Sequence, residues 1–191
     1  MGVSCSWFAV QGVSRAAALE ALGLVEAGPV RGDFPARDGV TDLPDGWLLL
    51  WFDDLDRAFA PDVVGLSAHS RAVACSIEEH VMYHEARGYQ GGEETWRLRH
   101  DPEEGERHLE VTGSPPPPFE RIRDDQLAKL EAQGYIADFV ADVPPALAMT
   151  ICGFKHDEEW PNEVSFTELR RTKPAQAEGR PGLFARLFGR G

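Results

Sequence analysis

Two histidines stand four residues apart among glutamates in the stretch SIEEHVMYHEARGY, as His80 and His84. On a helix, side chains at that spacing lie about 6 Å apart and can chelate one divalent ion. On a strand the same pair is separated by four rises, about 13 Å, too far for a shared metal. Val73, Cys75, Ile77, Val81 and Tyr83 take the odd positions, with a lapse at Glu79. Ala74, Ser76, Glu78, His80, Met82 and His84 take the even ones. This period of two predicts one strand of about a dozen residues and removes the local metal motif. Glu78, His80 and His84 then form a polar stripe, the candidate catalytic residues if another element completes them. Arg97 and Arg99 are the cross-strand candidates; without such a partner the stripe is the wet face of an antiparallel sheet.

Carboxylates raise the same question elsewhere. FDDLD places Asp53, Asp54 and Asp56 beyond an apolar run, where clustered oxygens suit a hard cation such as Mg²⁺. No glycine-rich phosphate loop accompanies them, and aspartates ahead of a helix are common caps. KHDEE adds His156 beside Asp157 and Glu158. Asp53, Asp54 and His156 are therefore the metal candidates. An enzyme of this kind requires Glu78 and His80 to converge with Asp53, Asp54 or His156. No GxSxG, GxxxxGK[ST] or GxGxxG motif is present, and no cysteine has a recognisable nucleophile context, so no cofactor is expected.

The elements that carry these residues predict an α+β fold with a mostly antiparallel sheet. SCSWFAVQG reads as a strand, and SRAAALEALG as a helix capped by Ser14 and ended by Gly23. A short strand is expected near Leu24–Val30. Residues 28–46, rich in Gly, Pro and Asp, read as a surface connection. Trp47–Phe52 has no alternation, as in a strand buried on both faces, and PDVVGLSAHS follows as a short helix. Such strand–helix units allow a ferredoxin-like first half. A three-stranded meander is expected over about 72–112, with turns near 88–92 and 102–106. Four prolines then lead into the helix FERIRDDQLAKLEAQG, ended by Gly134, and DVPPALAMTICG is a second helix with Asp142 as cap. YIADFV between them reads as a strand or loop.

The formal net charge is −13. Residues 173–191 hold four basic residues against Glu178, which leaves 15 basic and 31 acidic residues in 1–172, a balance of −16. Such a body repels phosphate backbones, so nucleic acid is excluded as a partner, while a basic protein is favoured. Residues 1–172 are expected to form one domain, and 173–191 a flexible basic tail. Leu183, Phe184, Leu187 and Phe188 give that tail an amphipathic face, too short for strong membrane contact. Three widely spaced cysteines, without a CxxC pair, point to reduced thiols in the cytoplasm.

SWFAVQG…ALEALGL, ACSIEEHVM and DVPPALAMTICGFKHDE together resemble a family of uncharacterised bacterial proteins of about this size. The resemblance implies a bacterial, cytosolic, single-domain protein and carries over no catalytic residues. The expectation is a non-enzymatic, immunity- or adaptor-like domain that binds a protein through its acidic surface. The alternative is a small enzyme or metal-binding protein built around His80.

Overall fold

The computed structural model describes residues 2–32, 34–133, 137–158 and 165–172. β1 (Ser4–Gln11) leads into α1 (Arg15–Leu22), and β2 (Leu24–Pro29), β3 (Gly39–Leu43) and β4 (Trp47–Phe52) follow. After α2 (Pro61–Val64) come β5 (Arg71–Glu78), β6 (Tyr83–Gln90), β7 (Glu93–His100) and β8 (Glu110–Gly113). α3 (Pro118–Gln133), α4 (Val143–Cys152) and β9 (Thr167–Arg171) close the described chain. Among the described residues, nine strands form one sheet in the order β2-β9-β3-β4-β1-β5-β6-β7-β8, every adjacent pair antiparallel. The fold is α+β.

Helices cover both faces of this sheet. Phe8, Val10, Leu48, Leu50 and Phe52 pack with Ala18, Leu19 and Leu22 of α1 and Val63 of α2. On the opposite face Cys5, Trp7, Leu49 and Ile77 pack with Phe119 and Ile122 of α3 and Val143, Leu147 and Cys152 of α4. Two covered faces explain why all six residues of β4 are buried, as the absence of alternation requires. Each fully buried Leu contributes about 1.5–3 kcal/mol. Trp7 meets Phe154 edge-on at 5.3 Å, tying the end of α4 to the sheet centre.

The helix ends follow their local chemistry. Ser14 Oγ accepts from the Ala17 N–H at 3.3 Å, and Gly23 closes α1 at φ 63°. Gly153 closes α4 at φ 78°, a conformation that costs a residue with a Cβ. Asp142 does not cap α4 with its side chain. Its carboxylate instead accepts from Gln126 of α3 at 2.8 Å and pairs with Lys155 at 2.7 Å.

Three expectations are corrected. β3 lies inside the 28–46 connection, where Val40 and Leu43 supply the buried positions among turn-forming residues. β9, for which no element is expected, forms from the charged run TELRR and is inserted between β2 and β3. No parallel pair exists among the described residues, and β2 is separated from β1 by three strands, so the first half is not ferredoxin-like. The 72–112 region holds four strands, because the chain reverses between Glu78 and Tyr83 with Met82 at φ 57°. The turns at Gly91–Gly92 and around Pro102–Glu104 fall where expected. Gly134, part of YIADFV and the 173–191 tail lie outside the described residues. No described helix is long and apolar enough to cross a membrane.

Candidate functional site

The reversal at Glu79–Met82 separates the two histidines of the opening motif. Glu79 holds the turn to the start of β1: its N–H donates to the Val3 carbonyl at 2.9 Å, and its Oε2 accepts from the Val3 N–H at 2.7 Å. The hairpin register then pairs Ile77 with His84 and Cys75 with Ala86. Odd positions of β5 therefore share a face with even positions of β6, and His84 turns inward beneath α4. It is 5% exposed. His80 stays on the turn in solvent, its Nδ1 2.6 Å from Glu78 Oε1. Ser4 Oγ donates to the other Glu78 oxygen at 2.7 Å, and that hydrogen bond, with His80, holds the carboxyl below its usual value. Arg97 and Arg99 do not face His84; both belong to the opposite side of the sheet, where Arg99 pairs across register with Glu85. His100 is the residue opposite His84.

A cavity of about 500 Å³ opens beside His84, between the β5–β6 turn, α3, the segment before α4 and the segment after it. His84 and His156 both line it, whereas Glu78 and His80 do not. Their rings meet edge to face with centroids 6.2 Å apart. The Nδ1–H of His84 donates to the Ala141 carbonyl at 2.6 Å, since a carbonyl can only accept. Burial, more than any neighbour, lowers the pKa of His84. The neutral ring with its proton fixed on Nδ1 carries a lone pair on Nε2, and that buried nitrogen has no hydrogen-bond partner among the described residues.

His156 is likewise 5% exposed. Its Nε2–H donates to Glu79 Oε1 at 3.0 Å, leaving Nδ1 without a hydrogen-bond partner among the described residues and 3.7 Å from Asp157 Oδ1. Burial works to raise the Glu79 carboxyl; the Val3 N–H and His156 outweigh it and bring the pKa below its ordinary value. Lys155 spans Asp142 at 2.7 Å and Asp157 at 2.9 Å, and these bonds overcome the burial that would deprotonate it. Behind the cavity wall, fully buried His100 has both ring nitrogens on oxygens: the His108 carbonyl at 2.6 Å and Asp138 Oδ2 at 2.8 Å. Asp138 Oδ1 in turn accepts from the Ala141 N–H at 3.2 Å, fixing the carbonyl-bearing residue that orients His84.

Asp53 and Asp54 are elsewhere. They line a second cavity of about 470 Å³ with Asp38, Arg57 and the end of β9, and it shares no lining residue with the first. Asp54 Oδ1 accepts from the Asp56 N–H at 2.9 Å, the local turn role that aspartates favour. The set Glu78, His80, Asp53, Asp54 and His156 thus does not converge. Among the described residues, no group of three or more His, Cys, Asp or Glu side chains is placed to hold a metal ion. Cys5, Cys75 and Cys152 are free and buried, and burial pushes their thiols up, Cys152 to about 12, so none is a ready nucleophile.

Sequence reasoning picked out His84 and His156 but missed Glu79, Asp138, Asp142, Lys155 and His100 as their surroundings. Glu79, the one lapse in the alternation of residues 73–84, falls at the first residue after β5. Comparison with protein-family models, with curated proteins and with solved structures gives no match to this chain.

Proposed function

We propose that this chain is a non-enzymatic binding domain whose recognition site is the cavity beside His84 and His156. One observation carries the reading. The carboxylates and Lys155 around the cavity are satisfied by neighbours, while two buried imidazole nitrogens, His84 Nε2 and His156 Nδ1, have no hydrogen-bond partner among the described residues. An unmet buried polar atom costs about 1–3 kcal/mol, a cost that a ligand contact at the cavity would remove. The volume suits a small molecule or one side chain of a protein.

A basic protein partner remains the favoured source of that ligand, because the balance of −16 over residues 1–172 would accelerate and orient its approach. The test is a histidine-ring ¹H–¹⁵N spectrum of the full chain, titrated with arginine, putrescine, acetate, inorganic phosphate and glucose. Saturable movement of the His84 Nε2 signal with one of these classes is the expected result. Ring signals that ignore every one of them would overturn the reading.

A further inference from the structure

The hydrogen-bonding needs of the cavity narrow what it can hold. His84 offers a lone pair at Nε2, because its single proton is committed to the Ala141 carbonyl. His156 directs its Nε2–H at Glu79, which leaves Nδ1 as a second ring nitrogen without a hydrogen-bond partner among the described residues, 3.7 Å from Asp157 Oδ1. Both sites ask for donors. Charge points the same way: Glu79, Asp138, Asp142 and Asp157 line the cavity against Lys129 and Lys155. Lys155 is itself enclosed by Asp142, Asp157 and, at 3.8 Å, Glu158, so its charge is more than balanced.

An anion would meet lone pairs and an excess of carboxylates. A sugar hydroxyl would satisfy the imidazoles but gain nothing from the field. A group made only of N–H donors and carrying positive charge satisfies both requirements, and guanidinium and ammonium groups are the biological examples.

We propose that the cavity binds a cationic nitrogen head group, a guanidinium or alkylammonium, that donates to His84 Nε2 and His156 Nδ1. This rests on the cavity being the binding site. The same chemistry is supplied by a free amine and by the Arg or Lys side chain of a basic protein.

The experiment uses isothermal titration and histidine-ring spectra on the full chain. The probes are agmatine, putrescine, the peptide acetyl-Gly-Arg-Gly-amide and its citrulline counterpart, with acetate, inorganic phosphate and glucose alongside. Cationic probes are expected to bind and to shift both ring signals, and the neutral citrulline peptide to bind at least tenfold more weakly than the arginine peptide. His84→Asn and His156→Gln each keep the donor that their backbone or carboxylate partner needs and remove the unpartnered ring nitrogen, the remaining acceptor being an amide oxygen in a different position. Each should weaken cationic binding about tenfold or more, the scale of one hydrogen bond to a charged group.

Equal affinity for agmatine and the arginine peptide assigns the site to free amines, and a clear preference for the peptide assigns it to a protein partner. Ring shifts produced only by acetate, phosphate or glucose overturn the cationic assignment while leaving the cavity as a binding site. Silence to every probe removes both. Should either variant fail to fold, the ring shifts of the unaltered chain still decide.

Discussion

His84 donates its Nδ1 proton to the carbonyl oxygen of Ala141 across 2.6 Å, and this contact binds a strand of the sheet to the segment preceding α4. It also selects one tautomer of a ring that burial keeps neutral. The consequence for stability has a definite sign. In the folded protein the ring titrates below the ordinary value of 6.5, so on acidification the unfolded chain takes up a proton that the folded chain resists. The part of the stability linked to this ring is therefore fully present above about pH 6.5 and is lost as pH falls through the folded value. His84→Asn, whose amide can still donate to Ala141, removes that titration. Urea midpoints measured between about pH 7 and pH 5 should fall less steeply in the variant. Parallel profiles for the two proteins would refute the assignment.

How much of this was legible in the residues depends on whether a local rule or a distant contact decides. The burial of Trp47–Phe52, the cap at Ser14 and the αL glycines at 23 and 153 follow from local rules, and the structure has them. The hairpin at Glu79–Met82 is not legible, because alternation is interrupted only at Glu79 and the four-residue turn carries no Asn-Gly or Gly-Gly signal. That single miss put His80 and His84 on one stripe, when one is in solvent and the other is buried. β9 was unreadable for a different reason. Its sequence, TELRR, carries one buried apolar residue, Leu169, and it becomes a strand by filling the gap between β2 and β3. Asp138 and His100 are 38 positions apart and only the fold brings them together.

That Asp138–His100 pair should be costly to break. His100 is fully buried, and both of its nitrogens lie at hydrogen-bond distance from oxygens, one of them the Asp138 carboxylate. Asp138→Ala leaves the ring without its charged partner and also strips the Ala141 N–H of its acceptor. A loss of about 3–5 kcal/mol is expected in urea unfolding. Asp138→Asn, which keeps a carbonyl oxygen for the Ala141 N–H, should lose less, about 1–3 kcal/mol. Equal losses from the two variants would mean that the charge is immaterial.

Burial should likewise separate two ion pairs of similar length. Lys155, with its side chain 6% exposed, joins Asp142 to Asp157, and Asp142 is also the anchor for Gln126 of α3. Lys155→Met strands those carboxylates together and should cost about 2–4 kcal/mol. Arg107 and Glu131 meet at 3.0 Å with side chains 51% and 63% exposed, so solvent screens them. Arg107→Met should change stability by under about 1 kcal/mol. Thermal or urea unfolding of the two variants makes the comparison, and a larger effect at Arg107 would contradict it.

Met82 offers a change in the opposite direction. It has φ 57°, in the left-handed region where a side chain with a Cβ is strained by about 1–2 kcal/mol. Glycine removes the strain but adds freedom to the unfolded chain, a cost of about 0.5–1 kcal/mol. Met82→Gly should therefore be neutral to stabilising by about 1 kcal/mol. Met82→Val, with a branched Cβ in the same conformation, should destabilise, because the branch adds to the clash with the following carbonyl. The order Gly, then Met, then Val in urea midpoint is the signature of backbone strain. The reverse order would show instead that contacts of the Met82 side chain at the cavity rim hold the hairpin closed, and that His84 owes its inward position to them.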